Sequence, residues 1–302
     1  MKHVISMRDL AKRDILLLLD LAGKIEKKEL RPDLSDKVAA LLFYEPSTRT
    51  VFSFDTAVKR MGGKTIQMIG SESSSVKKGE SFSDTINVVR QYVDLIVIRS
   101  VIEGAARYAS EILDIPIINA GDGSNQHPTQ TLLDLYSIQK TQSTLSNLHI
   151  ALVGDLRFGR TIHSLVYGLS HFGVTFYLVS PRHLKIPDYI RNDKSLANIK
   201  FIESDNLAEI IPTLDIMYVT RVQKERFADP VEYEQLKNSY QITARLFKEH
   251  PPKENFKILH PLPRVNEITT DVDSTPYAYY FHQARNGLFV RQAIIANLLG
   301  AA

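Results

Sequence analysis

The sequence predicts an α/β protein of two doubly wound parallel-sheet domains, and three observations carry that prediction. At 302 residues the chain exceeds what one hydrophobic core usually organises, so two domains of roughly 150 residues are expected. From about residue 37 onward, short β-rich apolar runs alternate with segments of helical period, the pattern of parallel strands wound with helices on both faces. A polar stretch, Lys140-Thr141-Gln142-Ser143-Thr144, interrupts this alternation, which then restarts.

A helix from Met7 to Lys27 opens the chain. The runs Val38 to Tyr44, Thr65 to Ile69, Leu95 to Ile98 and Ile115 to Ile118 read as strands of the first sheet, separated by helical segments such as Val51 to Met61, which stops at Gly62-Gly63. A helix from Pro128 to about Gln139 leads to the polar linker. Strands at His149 to Val153, Val174 to Val179, Lys200 to Ile202, Ile216 to Val219 and Lys257 to Leu259 give the second sheet. The segment Leu288 to Leu299 has helical period and is expected to dock on an earlier domain. The halves share an architecture without a sequence repeat.

Composition excludes several classes of function. Apolar residues make up 44% and charged residues 24% of the chain, and no apolar run approaches the ~20 residues that span a bilayer, so no membrane segment is expected. The chain has no cysteine, which removes disulfides, thiolate metal sites and cysteine nucleophiles together. With no apolar stretch behind Met1-Lys2-His3-Val4, a cytoplasmic location is expected. A net charge of +3, with basic and acidic residues interspersed, does not describe a nucleic-acid surface.

In Glu45-Pro46-Ser47-Thr48-Arg49-Thr50 an apolar strand runs into hydroxyls and an arginine at a helix start. Free N–H groups and the positive helix end attract an anion there, Ser47, Thr48 and Thr50 add donors, and Arg49 can grip a phosphate with two parallel bonds. Taken alone, a capped helix with Arg49 in solvent is the commoner explanation. The loop from Ser73 to Ser81 carries Ser74, Lys77 and Lys78 and suits a cationic flap, although such loops are usually just solvated. Arg99 follows its strand directly and so stands at the carboxyl edge of the sheet, where open α/β folds put ligands. The polar loop Asn119 to Gln126 then delivers His127 and Gln130 to the start of a helix, one turn apart. No second histidine or carboxylate has the spacing of a zinc site.

In the second half, Gly154-Asp155-Leu156-Arg157-Phe158-Gly159-Arg160-Thr161 nearly matches a P-loop but carries Arg160 at the lysine position. Arg does not replace a phosphate-binding Lys, and at a helix start it better suits a carboxylate. No strand is followed by G-x-G-x-x-G, so a dinucleotide cofactor has no support. Arg221 and Gln223 alternate along the exit of another strand. In His260-Pro261-Leu262-Pro263-Arg264 two prolines stiffen a loop and remove N–H groups, leaving the carbonyls of Pro261 and Leu262 available to a ligand amide. A cis bond is expected between Leu262 and Pro263. Each signal is modest alone. All stand at expected carboxyl ends of strands, which makes coincidence the weaker explanation.

Together these segments resemble the aspartate carbamoyltransferase family, from Val4 to the end of the chain. The resemblance implies transfer of the carbamoyl group of carbamoyl phosphate to L-aspartate, the committed step of pyrimidine (UMP) biosynthesis, without a cofactor or a metal in this chain. It implies that residues 1–141 plus 280–302 bind carbamoyl phosphate, the last helix returning to the first domain, and that 142–279 bind L-aspartate. By the same resemblance Ser47, Thr48, Arg49, Thr50 and Arg99 hold phosphate, and Thr50, Arg99 and His127 polarise the carbamoyl oxygen. Gln130, Pro261 and Leu262 hold its NH₂ with Pro263 beside them, while Arg160, Arg221 and Gln223 bind the aspartate carboxylates. Ser74 and Lys78 enter from a neighbouring subunit of a homotrimer. On domain closure Glu45 pairs with Arg160 and Arg226, and Glu225 orients Arg221.

Ornithine carbamoyltransferases share the Ser-Thr-Arg-Thr segment but resemble a pattern with Cys in place of Pro261 and a Ser-Met-Gly loop, and this chain has neither. Two guanidinium groups suit a dicarboxylate better than a cationic amine. A non-catalytic scaffold homologue is the remaining alternative. Resemblance to prokaryotic catalytic chains leaves room for a separate zinc-containing regulatory chain, which would then carry allosteric nucleotide feedback. No nucleic-acid or membrane partner is expected.

Overall fold

The computed structural model describes residues 1–70, 79–222 and 240–302. The chain divides into two compact units, Met1–Tyr136 with Arg285–Ala302, and Ser137–Ala284. Helix α1 spans Lys12–Glu26, preceded by a short 3₁₀ turn, Met7–Asp9, that Ser6 caps through its side chain.

The first unit holds strands β1 (Val38–Phe43), β2 (Lys64–Ile69), β3 (Leu95–Ser100) and β4 (Ile117–Asp122), with helices α2 (Thr48–Arg60), α3 (Phe82–Val89), α4 (Ala105–Ile112) and α5 (Pro128–Gln142) between and after them. The sheet order is β2-β1-β3-β4 and every pairing is parallel. β3 and β4 are buried along their whole length, which explains why they read as continuous rather than alternating apolar runs. Ala40, Leu42, Ile96, Ile98 and Ile117 pack against Ile86 of α3 and Ala106 and Ala109 of α4. Burying each large aliphatic side chain of this kind contributes roughly 1.5–3 kcal/mol.

The second unit holds β5 (His149–Val153), β6 (Thr175–Val179), β7 (Lys200–Glu203), β8 (Ile216–Val219) and β9 (Lys257–Leu259), in the order β7-β6-β5-β8-β9, again all parallel. Helix α6 spans Arg160–Leu169 between β5 and β6. Val153, Met217, Val219 and Ile258 line one core cluster with Phe247 and Phe256, and Phe247, Phe256 and Tyr277 meet with ring centroids 5.3–5.7 Å apart.

Two helices exceed their sequence-predicted lengths, and tertiary contacts explain both. α5 runs through the polar Lys140-Thr141-Gln142 because the Gln142 amide is satisfied there, donating to the Asn255 carbonyl at 2.8 Å and accepting from Asn255 Nδ2 at 2.5 Å. The C-terminal helix begins at Tyr280 rather than Leu288: its polar first turns are anchored by buried Tyr280, Gln283 and Asn286. Arg99 and the segment Asn119–Asp122 lie inside strands rather than beyond them.

The strand orders position the chemistry. In the first sheet the chain crosses from β1 to β2 on one side, then returns past β1 to β3 and β4 on the other. In the second, β5 is flanked in the same way by β6 and β8. Ligands of open α/β sheets bind at the carboxyl ends of strands beside such a reversal. Segment 44–50 follows β1 there, with Arg99 inside the end of β3, and 154–160 and 220–222 follow β5 and β8 in the second unit.

Candidate active site

Ser47 is the N-cap of α2 by backbone geometry, but its hydroxyl does not cap. It donates to Thr50 Oγ1 at 2.9 Å, and the first turn carries no acidic residue. The helix start therefore keeps its positive end without a cap from Ser47, with Thr48 and Arg49 exposed at its mouth. The ordinary capped-helix explanation does not describe this turn.

Pairing of β1 with β3 sets Phe43 against Arg99, and the Tyr44 N–H continues the ladder onto the Arg99 carbonyl at 2.9 Å. That register brings Glu45 to Arg99 Nη2 at 2.6 Å, while Nη1 donates to the Ala120 carbonyl of β4 at 3.2 Å. A buried guanidinium is thus fixed across the ends of three strands, beside the α2 start. In this arrangement Glu45, expected to act in domain closure, is paired with Arg99.

The loop after β4 is organised by Asp122, which is 2% exposed. Its carboxylate accepts from Gly104 N (2.8 Å), Asn119 Nδ2 (2.9 Å), Asn125 Nδ2 (3.0 Å) and Gln126 N (3.1 Å). Gln126 in turn accepts from Ser6 Oγ at 3.1 Å. His127 follows this cross-braced loop, buried, and its carbonyl accepts the first amides of α5, from Gln130 and Thr131. One turn on, Gln130 Nε2 donates to Asp134 at 2.8 Å. Asp122 and Asp134 escaped the sequence reading because an acidic residue in a turn or on a helix is ordinarily solvated, and only the fold buries these two.

In the second unit Gly154 leaves β5 at φ +110, where an added Cβ would lie 2.2 Å from the Thr220 carbonyl oxygen. Only glycine permits the β5 and β8 exits to approach so closely. Asp155, fully buried, accepts from the N–H groups of Arg157 and Phe158 at 3.1 and 2.9 Å and shapes the turn into α6. Arg160 is the first residue of α6, with Gly159 as a cap that offers no side-chain acceptor. Arg221 follows β8, half-buried, so two guanidinium residues stand at the adjacent exits of β5 and β8.

The loop after β9 has a cis Leu262–Pro263 bond, as the sequence predicts, and Leu262 sits at φ +57. His260 is buried, and burial holds its pKa below the usual histidine value despite Glu267 at 2.7 Å from Nε2. For Glu267 burial pushes the pKa up, but hydrogen bonds from His260 and from the Val265 amide outweigh it, and the net shift is downward. The pair is a neutral imidazole on a carboxylate. Arg264 forms a fork on Asp273 and stacks over Tyr280, its carbon 5.1 Å from the ring centroid.

The structure thus gathers Glu45, Ser47, Thr48, Arg49, Thr50 and Arg99 at the β1 and β3 ends, with His127 and Gln130 at the start of α5 after β4. It places Arg160, Arg221 and Pro261 to Pro263 after the neighbouring strands β5, β8 and β9. Ser74, Lys78, Gln223, Glu225 and Arg226 lie outside the described residues.

Comparison with known proteins identifies the family of both halves of the chain. Residues 2–140 match the family described as "Aspartate/ornithine carbamoyltransferase, carbamoyl-P binding domain", and residues 146–298 match "Aspartate/ornithine carbamoyltransferase, Asp/Orn binding domain". The aspartate carbamoyltransferase catalytic subunit of Parabacteroides distasonis is 54% identical over 300 residues, covering 99% of this chain and 97% of its own. A solved catalytic subunit of Methanocaldococcus jannaschii aspartate transcarbamoylase is similar with a TM-score of 0.89 at 52% identity, covering 99% of this chain and 98% of its own. Aspartate transcarbamoylase from Trypanosoma cruzi, solved with carbamoyl phosphate and aspartate, gives a TM-score of 0.90 at 35% identity, covering 97% and 95%. With both halves matched and the identity spread over the whole length, the chain belongs to the aspartate/ornithine carbamoyltransferase family, among the aspartate carbamoyltransferase catalytic chains.

Proposed function

We propose that this chain transfers the carbamoyl group of carbamoyl phosphate to the amine of L-aspartate, giving N-carbamoyl-L-aspartate and phosphate at the entry to pyrimidine synthesis. The observation that carries the reading is the pairing of cationic groups with strand-order reversals in both sheets. One reversal carries the uncapped α2 start with Arg49 and Arg99, and the other carries Arg160 and Arg221. The first set suits a phosphate and the second a dicarboxylate, and the T. cruzi relative was solved with carbamoyl phosphate and aspartate together.

Ser47, Thr48, Arg49, Thr50 and Arg99 hold the phosphate. Thr50, Arg99 and His127 donate to the carbamoyl oxygen, and Gln130 with the carbonyls of Pro261 and Leu262 fixes the NH₂, Pro263 flanking them. Arg160, Arg221 and Gln223 bind the two carboxylates of aspartate. Its amine attacks the carbamoyl carbon, the donors stabilise the tetrahedral oxyanion, and phosphate departs carrying the amine proton. The chemistry is positioning and charge stabilisation, with no cofactor required. Release of phosphate from carbamoyl phosphate with L-aspartate, compared with L-ornithine, tests the reading. Turnover with ornithine alone, or with neither, would refute it.

The reading extends to a cytoplasmic homotrimer in which Ser74 and Lys78 complete a neighbour's site. Phe52, Tyr92 and edge-strand Ile66 and Ile69 are 65%, 65%, 40% and 47% exposed on the first unit, apolar area that a second copy would cover. The relatives' designation as catalytic subunits favours a separate regulatory partner, and the family resemblance alone suggests that such a partner contains zinc. Domain closure would move Glu45 from Arg99 to Arg160 and Arg226, with Glu225 supporting Arg221. Native mass measurement of the purified assembly distinguishes trimer from monomer.

A further inference from the structure

We propose that His260, fixed by Glu267 as the tautomer protonated on Nε2, is a positioning residue that aims the Pro261 carbonyl at the carbamoyl NH₂. The inference rests on the reading of the Pro261 and Leu262 carbonyls as ligand acceptors. His260 Nδ1 lies 2.8 Å from the Leu262 amide nitrogen. A backbone N–H can only donate, so Nδ1 must be the unprotonated acceptor and the ring proton must sit on Nε2. Glu267 Oε1, 2.7 Å from Nε2, receives that proton's hydrogen bond, and Oε2 accepts from the N–H groups of Val265 and Asn266 at 3.0 and 3.1 Å. The His260 N–H is itself held by Gln283 Oε1 at 2.9 Å.

The Leu262 N–H and the Pro261 C=O belong to one planar peptide unit and, when that unit is trans, point in opposite directions. Tying the N–H to a buried ring therefore turns the Pro261 oxygen away from His260. Leu262 also adopts a left-handed conformation at φ +57, which is strained for a side-chain-bearing residue and needs such a tie to persist. The charged groups facing the ring, Glu267 with Arg264 and Arg221 further off, oppose one another, and burial keeps the imidazole neutral. None of this requires His260 to touch a substrate.

Substitutions separate this role from simple packing. In Glu267→Gln one oxygen must serve both His260 Nε2–H and the two backbone amides, so one side meets an NH₂ instead. The Val265 and Asn266 amides can only donate and so keep the oxygen on their side, which leaves the NH₂ facing Nε2, moves the ring proton to Nδ1 and breaks the Leu262 tie. In His260→Asn the side-chain oxygen can accept from the amide two residues on, as in an Asx-turn, and keeps the Leu262 tie. In His260→Gln the amide reaches Glu267 but offers Leu262 no acceptor at the right distance.

The experiment uses the full-length protein and two probes, phosphonoacetamide, which carries the amide, and inorganic phosphate, which lacks it. Wild type is expected to bind phosphonoacetamide more tightly than phosphate. Glu267→Gln and His260→Gln should reduce that preference at least tenfold with phosphate affinity unchanged, whereas His260→Asn should keep it within about threefold. Nitrogen NMR of histidine-labelled wild type should show His260 as the Nε2–H tautomer, which tests the assignment even where a variant fails to fold. Equal losses in His260→Asn and His260→Gln, a retained preference in Glu267→Gln, or an Nδ1–H tautomer would overturn the proposal. A wild type with no preference for the amide would instead sink the carbonyl reading on which it stands.

Discussion

Arg291→Met tests how the first unit holds its substrate-binding helices together. Arg291 lies in the C-terminal helix at 4% exposure, donates from Nη1 to Ser53 Oγ of α2 at 2.8 Å, and stacks on Phe54 with its carbon 5.0 Å from the ring centroid. Gly287, one turn earlier, makes the room, since a Cβ there would lie 2.5 Å from Nη1. Burial lowers the Arg291 pKa from its ordinary value to about 10, with Asp134 opposing the shift. Keeping the proton in the folded chain therefore costs about 3 kcal/mol. Because the folded value lies below the unfolded one, that cost is fully present below about pH 10 and is relieved only above it.

The guanidinium stays charged at pH 7 and balances Asp134, itself fully buried and holding Gln130. Removing the cation takes an opposing charge away from a buried carboxylate, and Arg291→Met is expected to lose about 3–5 kcal/mol. For a unit of this size that corresponds to a melting temperature lower by roughly 6–20 °C. The double variant Arg291→Met with Asp134→Asn removes both charges and keeps an acceptor for Gln130, so it should recover at least about 2 kcal/mol. Urea titrations followed by circular dichroism measure all three variants. A single substitution costing less than about 1 kcal/mol, or a double variant whose losses simply add, would refute the reasoning.

His127→Ala should lower kcat by roughly 10²–10³, as for other oxyanion donors, and an unchanged kcat in the aspartate assay would remove His127 from its assigned role. Asp273 is held below the usual carboxylate range chiefly by the hydrogen bond from Arg264. Its stabilisation is therefore complete above the unfolded pKa and lost as pH falls through the lower folded value, so Asp273→Asn should flatten the acid limb of a pH–stability curve. Gly154→Ala should destabilise the second unit by more than about 2 kcal/mol in urea, because the new methyl meets Thr220 backbone at a positive φ.

The elements on which periodicity speaks strongly were legible. His149–Val153, Ile216–Val219 and Lys257–Leu259 have the bounds that the sequence predicts, because each is a buried apolar run preceded by at most one half-buried polar residue. The ends of α5 and of the C-terminal helix were not, because their polar residues are satisfied by partners distant in sequence, such as Gln142 with Asn255. Among candidate residues, arginines after strands stood out in the sequence, since a cation there has few purely structural uses. Asp122, Asp134, Glu267 and Arg291 did not, since nothing local distinguishes a buried charge from a solvated one.

The sequence alone determined the α/β class, the strands and the chemical types presented at their carboxyl ends, because those depend on side-chain period and on residues adjacent along the chain. Tertiary structure decided which strands are neighbours, that Ser47 leaves the α2 start uncapped, and that Glu45 meets Arg99. It also decided that His260 braces the loop beside it. Those outcomes depend on sheet order and on burial, and burial is what turns an ordinary hydrogen bond or ion pair into one that fixes geometry.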